Sequence, residues 1–116
     1  PVTLTLLGTG TSQGVPVIAC QCIVCQSPDS RDKRLRTSAL FEVSSPDASV
    51  STRSLVVDSG PDFRQQMLSN RVARLDAVLF THEHKDHVAG LDDVRAFNFH
   101  QQSDMEVFAS SRVQVA

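Results

Sequence analysis

The sequence predicts an α/β fold, and three observations carry that prediction. Strand patterns and helix patterns alternate along the chain. An apolar run at residues 75–80, LDAVLF, delivers the chain directly into a histidine-rich turn, THEHKDH. No repeat, low-complexity tract or inter-domain linker interrupts the 116 residues, so they read as one unit able to bury a core.

Each element has its own signal. Val2-Thr3-Leu4-Thr5-Leu6 alternates with period two, as a half-buried strand does. It runs into Gly8-Thr9-Gly10-Thr11-Ser12-Gln13-Gly14, which superficially resembles a dinucleotide loop. Such a loop must open into a helix, whereas Val15-Pro16-Val17-Ile18 is extended and β-branched. A tight backbone turn lining a ligand pocket, with N–H groups available to a phosphate, fits better. Residues 20–36 form a polar excursion whose basic run, Arg31 to Arg36, reads as a solvated loop. Residues 38–43 and 54–58 are strands, antiparallel across a Ser/Pro/Asp-rich loop at 44–52. Ser59-Gly60-Pro61-Asp62 opens a helix with Phe63 and Met67 four apart and a stop at Asn70. The strand at 75–80 follows. A helix from about Asp86 is expected to carry Leu91, Val94 and Phe97 on one stripe, with His100 a surface residue beyond it. Residues 105–109 read as a last strand, and residues 110–112 as the start of another helix.

Composition narrows the function. With 41% hydrophobic residues, 21% charged and a formal net charge of -2, nothing in the balance argues for a nucleic-acid or membrane partner. No apolar run approaches the roughly 20 residues of a membrane span. The opening PVTLTLL has neither a charged n-region nor a secretory cleavage site, so a cytoplasmic protein is expected.

Two clusters carry chemistry. After a strand, His82 and His84 stand two apart and point to the same side. A turn into a helix then brings Asp86 and His87 round at another height, while Glu83 and Lys85 alternate away as solvent-facing spacers. Imidazole plus carboxylate suits Zn, Mn or Fe, and two adjacent sets suit a pair of metals about 3.5–4 Å apart. Solvated histidines are the plain alternative, and they do not explain H-x-H-x-D-H placed directly after an apolar strand. The second cluster is Cys20-x-Cys22-x-x-Cys25. An odd count at this spacing is a poor disulfide framework, so a thiolate metal site or free thiols are the readings left.

THEHKDH after an apolar strand, with LVVDSG at an earlier strand end, resembles the metallo-β-lactamase-fold hydrolases. GTGTSQGVP and CQCIVC narrow the resemblance to the phosphoribosyl cyclic phosphodiesterase-like branch, over residues 4–109. The resemblance implies the first half of an αββα sandwich, residues 1–116 being the amino-terminal half of a single domain. It implies His82 and His84 on one divalent metal, Zn or Mn, and Asp86, also counted as catalytic, with His87 on a second. Asp58 would be a buried support for the metal-binding loop, with a helix-capping carboxylate as the alternative. Cys20, Cys22 and Cys25 would be three of four ligands to a structural zinc. The remaining ligands and the partner sheet would lie outside this chain, leaving an apolar face that a second copy, as a homodimer, could also cover.

The activity implied is hydrolysis of a small or cyclic phosphodiester by a hydroxide activated by two metals, with the chain alone inactive. A thioesterase or lactonase shares the histidines. Ribonuclease Z shares them too but lacks the tight cysteine cluster, and the pyrroloquinoline quinone biosynthesis protein has the cysteines with a differing histidine motif. A catalytically dead zinc-binding interaction fold is the alternative from another class.

Overall fold

The computed structural model describes residues 1–115. Five strands form one mixed sheet in chain order: β1 Val2–Gly8, β2 Ser38–Val43, β3 Arg53–Val57, β4 Ala77–Leu79 and β5 Glu106–Phe108. The first three pair antiparallel and the last three parallel. The change at β3 follows from the connections, because the loop at 44–52 can return β3 antiparallel to β2 whereas the parallel neighbours that follow need a crossover. One crossover is α1 Phe63–Ser69. The other is α2 Lys85–Val88, a 3₁₀ segment Leu91–Val94 and α3 Arg95–Gln101. A short α4, Ser111–Gln114, follows β5.

Alternation of side chains gives the sheet two unlike faces. On one, Leu40, Val56 and Val78 are register neighbours across β2, β3 and β4, and all three are buried. Phe63 and Met67 of α1, with Val94 and Phe97 of the second crossover, join them in the core. Phe63 and Phe97 meet edge to face, ring centroids 6.3 Å apart. On the other face Leu4, Phe41, Leu55 and Ala77 run in register, yet Leu4 is 53% exposed. The adjoining row ends on Leu6, 65% exposed, and Phe108, 52% exposed. This is the architecture of half a metallo-β-lactamase sandwich, one sheet with helices on one side.

Three expectations for the second crossover change. The single helix from Asp86 is broken at Ala89-Gly90, because Gly90 docks on the turn after β3. Its N–H donates to the Ser59 carbonyl at 2.8 Å, and a Cβ there would run into the Gly60 carbonyl. Leu91 consequently leaves the stripe and is 40% exposed, while Val94 and Phe97 stay buried; His100 falls inside the last turn of α3, not beyond it.

The basic run is solvated only in part. Arg31 pairs with Asp29 at the surface. Arg36 instead donates to Asp62 at 2.9 Å and to the Ser12 carbonyl at 2.8 Å, fastening the glycine-rich turn to the start of α1. That turn is used for close backbone approach. Gly10 N–H donates to Leu35, Val15 N–H to Arg34 and Gly14 N–H to Thr11, so these three amides are committed within the protein and none is free for a phosphate.

Gly90→Ala should therefore destabilise the fold by about 1–3 kcal/mol, the usual range for overpacking. Urea unfolding measures this; an unchanged midpoint would show that the Gly60–Gly90 contact is not tight.

Candidate metal centre

The end of β4 sets the site. Phe80 is buried and anchors the strand, after which the chain bends at Thr81 and reaches His84, the N-cap of α2, whose backbone is extended. His82 and His84 thus come from the segment between β4 and α2, and Asp86 and His87 from the first turn of a helix. The His82 ring centroid lies 4.6 Å from that of His84 and 4.0 Å from that of His87. Asp86 Oδ2 lies 3.1 Å from His87 Nε2. All four predicted ligands are therefore gathered at the carboxyl end of β4.

Asp58 organises them. It follows β3 in the left-handed region, φ +65°, which a non-glycine residue adopts only when its surroundings hold it there. Here they do. Its N–H donates to the Leu79 carbonyl at 2.8 Å, and the buried Ser38 hydroxyl lies 2.8 Å from its own carbonyl. The turned backbone aims the carboxylate across to β4, where Oδ1 accepts from Thr81 N–H at 2.8 Å. Oδ2 lies 2.7 Å from Thr81 Oγ1 and 2.6 Å from His87 Nδ1. Asp58, His82 and His87 offer ligand atoms within 4.8 Å of one another, but three donors already engage the Asp58 oxygens. Asp58 caps no helix; the N-cap of α1 is Asp62, whose carboxylate holds Arg36.

The donor set fits a cation. With Nδ1–H donated to Asp58, a neutral His87 presents a bare lone pair at Nε2. In that neutral form the lone pair faces a carboxylate oxygen of Asp86 at 3.1 Å, acceptor to acceptor, a pairing that a cation shared between the two atoms, or a second proton on the ring, makes favourable. Two atoms that each bind a zinc ion at about 2.0–2.2 Å sit at such a separation.

The spacer residues differ from one another. Lys85 is exposed, as expected. Glu83 instead accepts from Arg112 of α4, at 3.0 Å from Nε and 2.8 Å from Nη2, tying the loop to the segment after β5. Thr81 and Arg112 are the site-proximal residues that sequence reasoning gave no role. A hydroxyl immediately before His82 was the available signal for Thr81, and nothing local marked Arg112.

Cys20, Cys22 and Cys25 also converge, their sulfurs within 4.8 Å of one another, and all three are free thiols. The Cys25 N–H points at Cys22 Sγ from 3.4 Å, and Val17 N–H at Cys25 Sγ from 3.4 Å. The Cys25 amide first, and hydrogen bonding with the Cys20 and Cys25 thiols after it, lower the Cys22 pKa to about 7. The Val17 amide pulls the Cys25 thiol down, but hydrogen bonding to Cys20 and desolvation outweigh it and leave Cys25 raised. Three convergent sulfurs, one poised as thiolate, are a donor set suited to zinc.

A mixed sheet, helices on one face and a histidine–aspartate cluster at the strand ends are the features of the metallo-β-lactamase fold. The chain belongs to the beta-lactamase superfamily, whose domain model matches residues 53–116. An octanoyltransferase of Porphyromonas gingivalis is 49% identical over 108 residues, 93% of this chain but 20% of that protein. Coenzyme PQQ synthesis protein B of Methylobacterium nodulans is 37% identical over 101 residues, 78% of this chain and 32% of the relative. Among solved structures, a diphosphatase from the PhnP family matches with TM-score 0.88 and 37% identity, over 99% of this chain and 44% of that one. Zinc-bound PqqB from Methylobacterium extorquens, at TM-score 0.61 and 24% identity, and a long-form RNase Z from yeast, at 0.67 and 20%, share the fold. The chain spans a fifth to a third of these curated relatives' lengths. No helix among the described residues is long and apolar enough to cross a membrane.

In chelator-stripped protein, Cys22 should alkylate fastest of the three cysteines. Its rate with iodoacetamide should rise from low pH, reach half its maximum near pH 7 and level off above it, as the thiolate fills. Site-resolved mass spectrometry checks this, and preferential labelling of Cys25 would contradict it.

Proposed function

We propose that this chain supplies the near half of a two-metal centre in a hydrolase that cleaves a small phosphodiester or related phosphoanhydride. The observation that carries the proposal is the Asp86–His87 pair, acceptor facing acceptor at 3.1 Å with His87 held from behind by Asp58. In this reading His82 and His84 hold one divalent metal, Zn or Mn, and Asp86 and His87 the other. The metals, once bound, supply the Lewis acid that neutralises charge on phosphoryl oxygens and activates water for attack at phosphorus.

The chain's own residues orient and hold. Asp58 fixes the His87 ring and its tautomer, so that Nε2 and not Nδ1 faces the site. Asp86 contributes the anionic charge that a histidine-only set lacks, and as a ligand it is the residue we assign a catalytic role. Cys20, Cys22 and Cys25 hold a structural zinc that pins residues 20–25 near the start of the fold.

The rest of the ligands, in this reading, come from residues outside these 116, which form the amino-terminal half of one domain. The apolar face that leaves Leu4, Leu6, Leu79 and Phe108 exposed and the 44% coverage of the diphosphatase both support that reading. Phosphoester rather than acyl substrates are favoured by the 37% identity to a diphosphatase; the octanoyltransferase's name describes a protein of which the match covers one fifth.

Full-length protein should contain two catalytic metals and one cysteine-bound zinc per chain by elemental analysis. It should hydrolyse bis(p-nitrophenyl) phosphate in preference to a thioester. Turnover of the thioester alone would contradict the proposal. Asp86→Ala should lower metal content by about one per chain and kcat/KM by at least about 100-fold, the upper end of what even an outer support of a metal site costs. Residues 1–116 by themselves should turn over neither substrate.

A further inference from the structure

Thr81 occupies a position that the histidines alone do not explain. Its hydroxyl oxygen lies 2.7 Å from Asp58 Oδ2 and 2.8 Å from His82 Nδ1. A carboxylate only accepts, and a hydroxyl has one proton to give. The short Thr81–Asp58 contact needs that proton, so the Thr81 hydroxyl donates to Asp58. Its lone pairs are then all it can offer His82, and the short contact there requires a proton on His82 Nδ1. In the neutral ring, Nε2 of His82 is then the bare lone pair.

From this geometry we propose that Thr81 is a positioning residue that extends the Asp58 carboxylate to His82. One carboxylate then sets the tautomer of two metal-facing rings, His87 directly and His82 through the Thr81 hydroxyl. The proposal rests on the two-metal reading for its consequence, namely that the first metal site depends on a hydroxyl which ligates nothing. The backbone supports the relay independently. Thr81 N–H donates to Asp58 Oδ1 at 2.8 Å, so the same carboxylate holds the residue at two points, backbone and hydroxyl. Asp58 in turn is held in its left-handed conformation by Leu79 and Ser38. Outer hydrogen bonds of this kind fix ring orientation and raise ligand basicity.

The test uses full-length protein and two readouts. In chelator-stripped, histidine-labelled wild type near pH 8, long-range ¹H–¹⁵N NMR should show His82 and His87 both protonated at Nδ1. Thr81→Val keeps the backbone contact and removes only the hydroxyl. It should lower zinc affinity at the His82–His84 site about 10–100-fold by chelator competition, while Thr81→Ser should stay within about threefold of wild type. The His87 tautomer should be unchanged in both variants. An Nε2–H tautomer of His82 in wild type would overturn the proposal, as would a Thr81→Val protein that binds both metals like wild type. Should Thr81→Val fail to fold, the wild-type tautomer decides alone. A wild type that takes up no metal but shows the Nδ1–H tautomer would sink the two-metal reading and leave the relay standing.

Discussion

The carboxylate of Asp58 is the constraint on which the site depends. It stands where four parts of the fold meet: its own strand β3, the Ser38 hydroxyl of β2, the end of β4 through Leu79 and Thr81, and α2 through His87. Its left-handed backbone, at φ +65°, is of the kind that costs on the order of 1–3 kcal/mol and persists only when surrounding contacts over-determine it. Five hydrogen-bonding contacts do so here. A residue that relaxed into ordinary strand geometry would point its carboxylate away from β4, and neither histidine would be held from behind.

The remainder of the architecture brings those parts to one place. The two crossovers make β3, β4 and β5 parallel, so the carboxyl ends of β3 and β4 lie side by side. Asp58 follows one and Thr81 the other, which is where open α/β sheets collect their ligands. Gly60 and Gly90 let the turn after β3 and the end of α2 approach without side chains between them. The core of Leu40, Val56, Val78, Phe63 and Phe97 fixes the helices on one face. The other face presents apolar surface, with Leu4 and Leu6 more than half exposed.

Legibility in the sequence followed the range of the interaction. Strands β2 and β3 were readable because alternation and turn residues are local signals, and both occur within a residue of their predicted bounds. The four-residue cluster His82, His84, Asp86 and His87 was readable because strand and helix periodicities place neighbours predictably. The break at Gly90 was not, since its cause is the Ser59–Gly60 turn thirty residues earlier. Arg36 and Glu83 looked like surface charges because their partners, Asp62 and Arg112, are distant in the chain. The glycine-rich turn was readable as a place of close backbone approach, but its partner, the backbone at residues 34–36, lies too far along the chain for a motif to name it.

The central claim is that Asp58 orients metal ligands without becoming one. Anomalous diffraction at the zinc edge, from crystals of the zinc-loaded full-length protein, tests it most directly. The account predicts one peak between Asp86 and His87 Nε2 and a second against His82 and His84, with the Asp58 oxygens outside the coordination distance of about 2.0–2.2 Å. A peak bound directly by Asp58, or none at these histidines in zinc-loaded crystals, would contradict it.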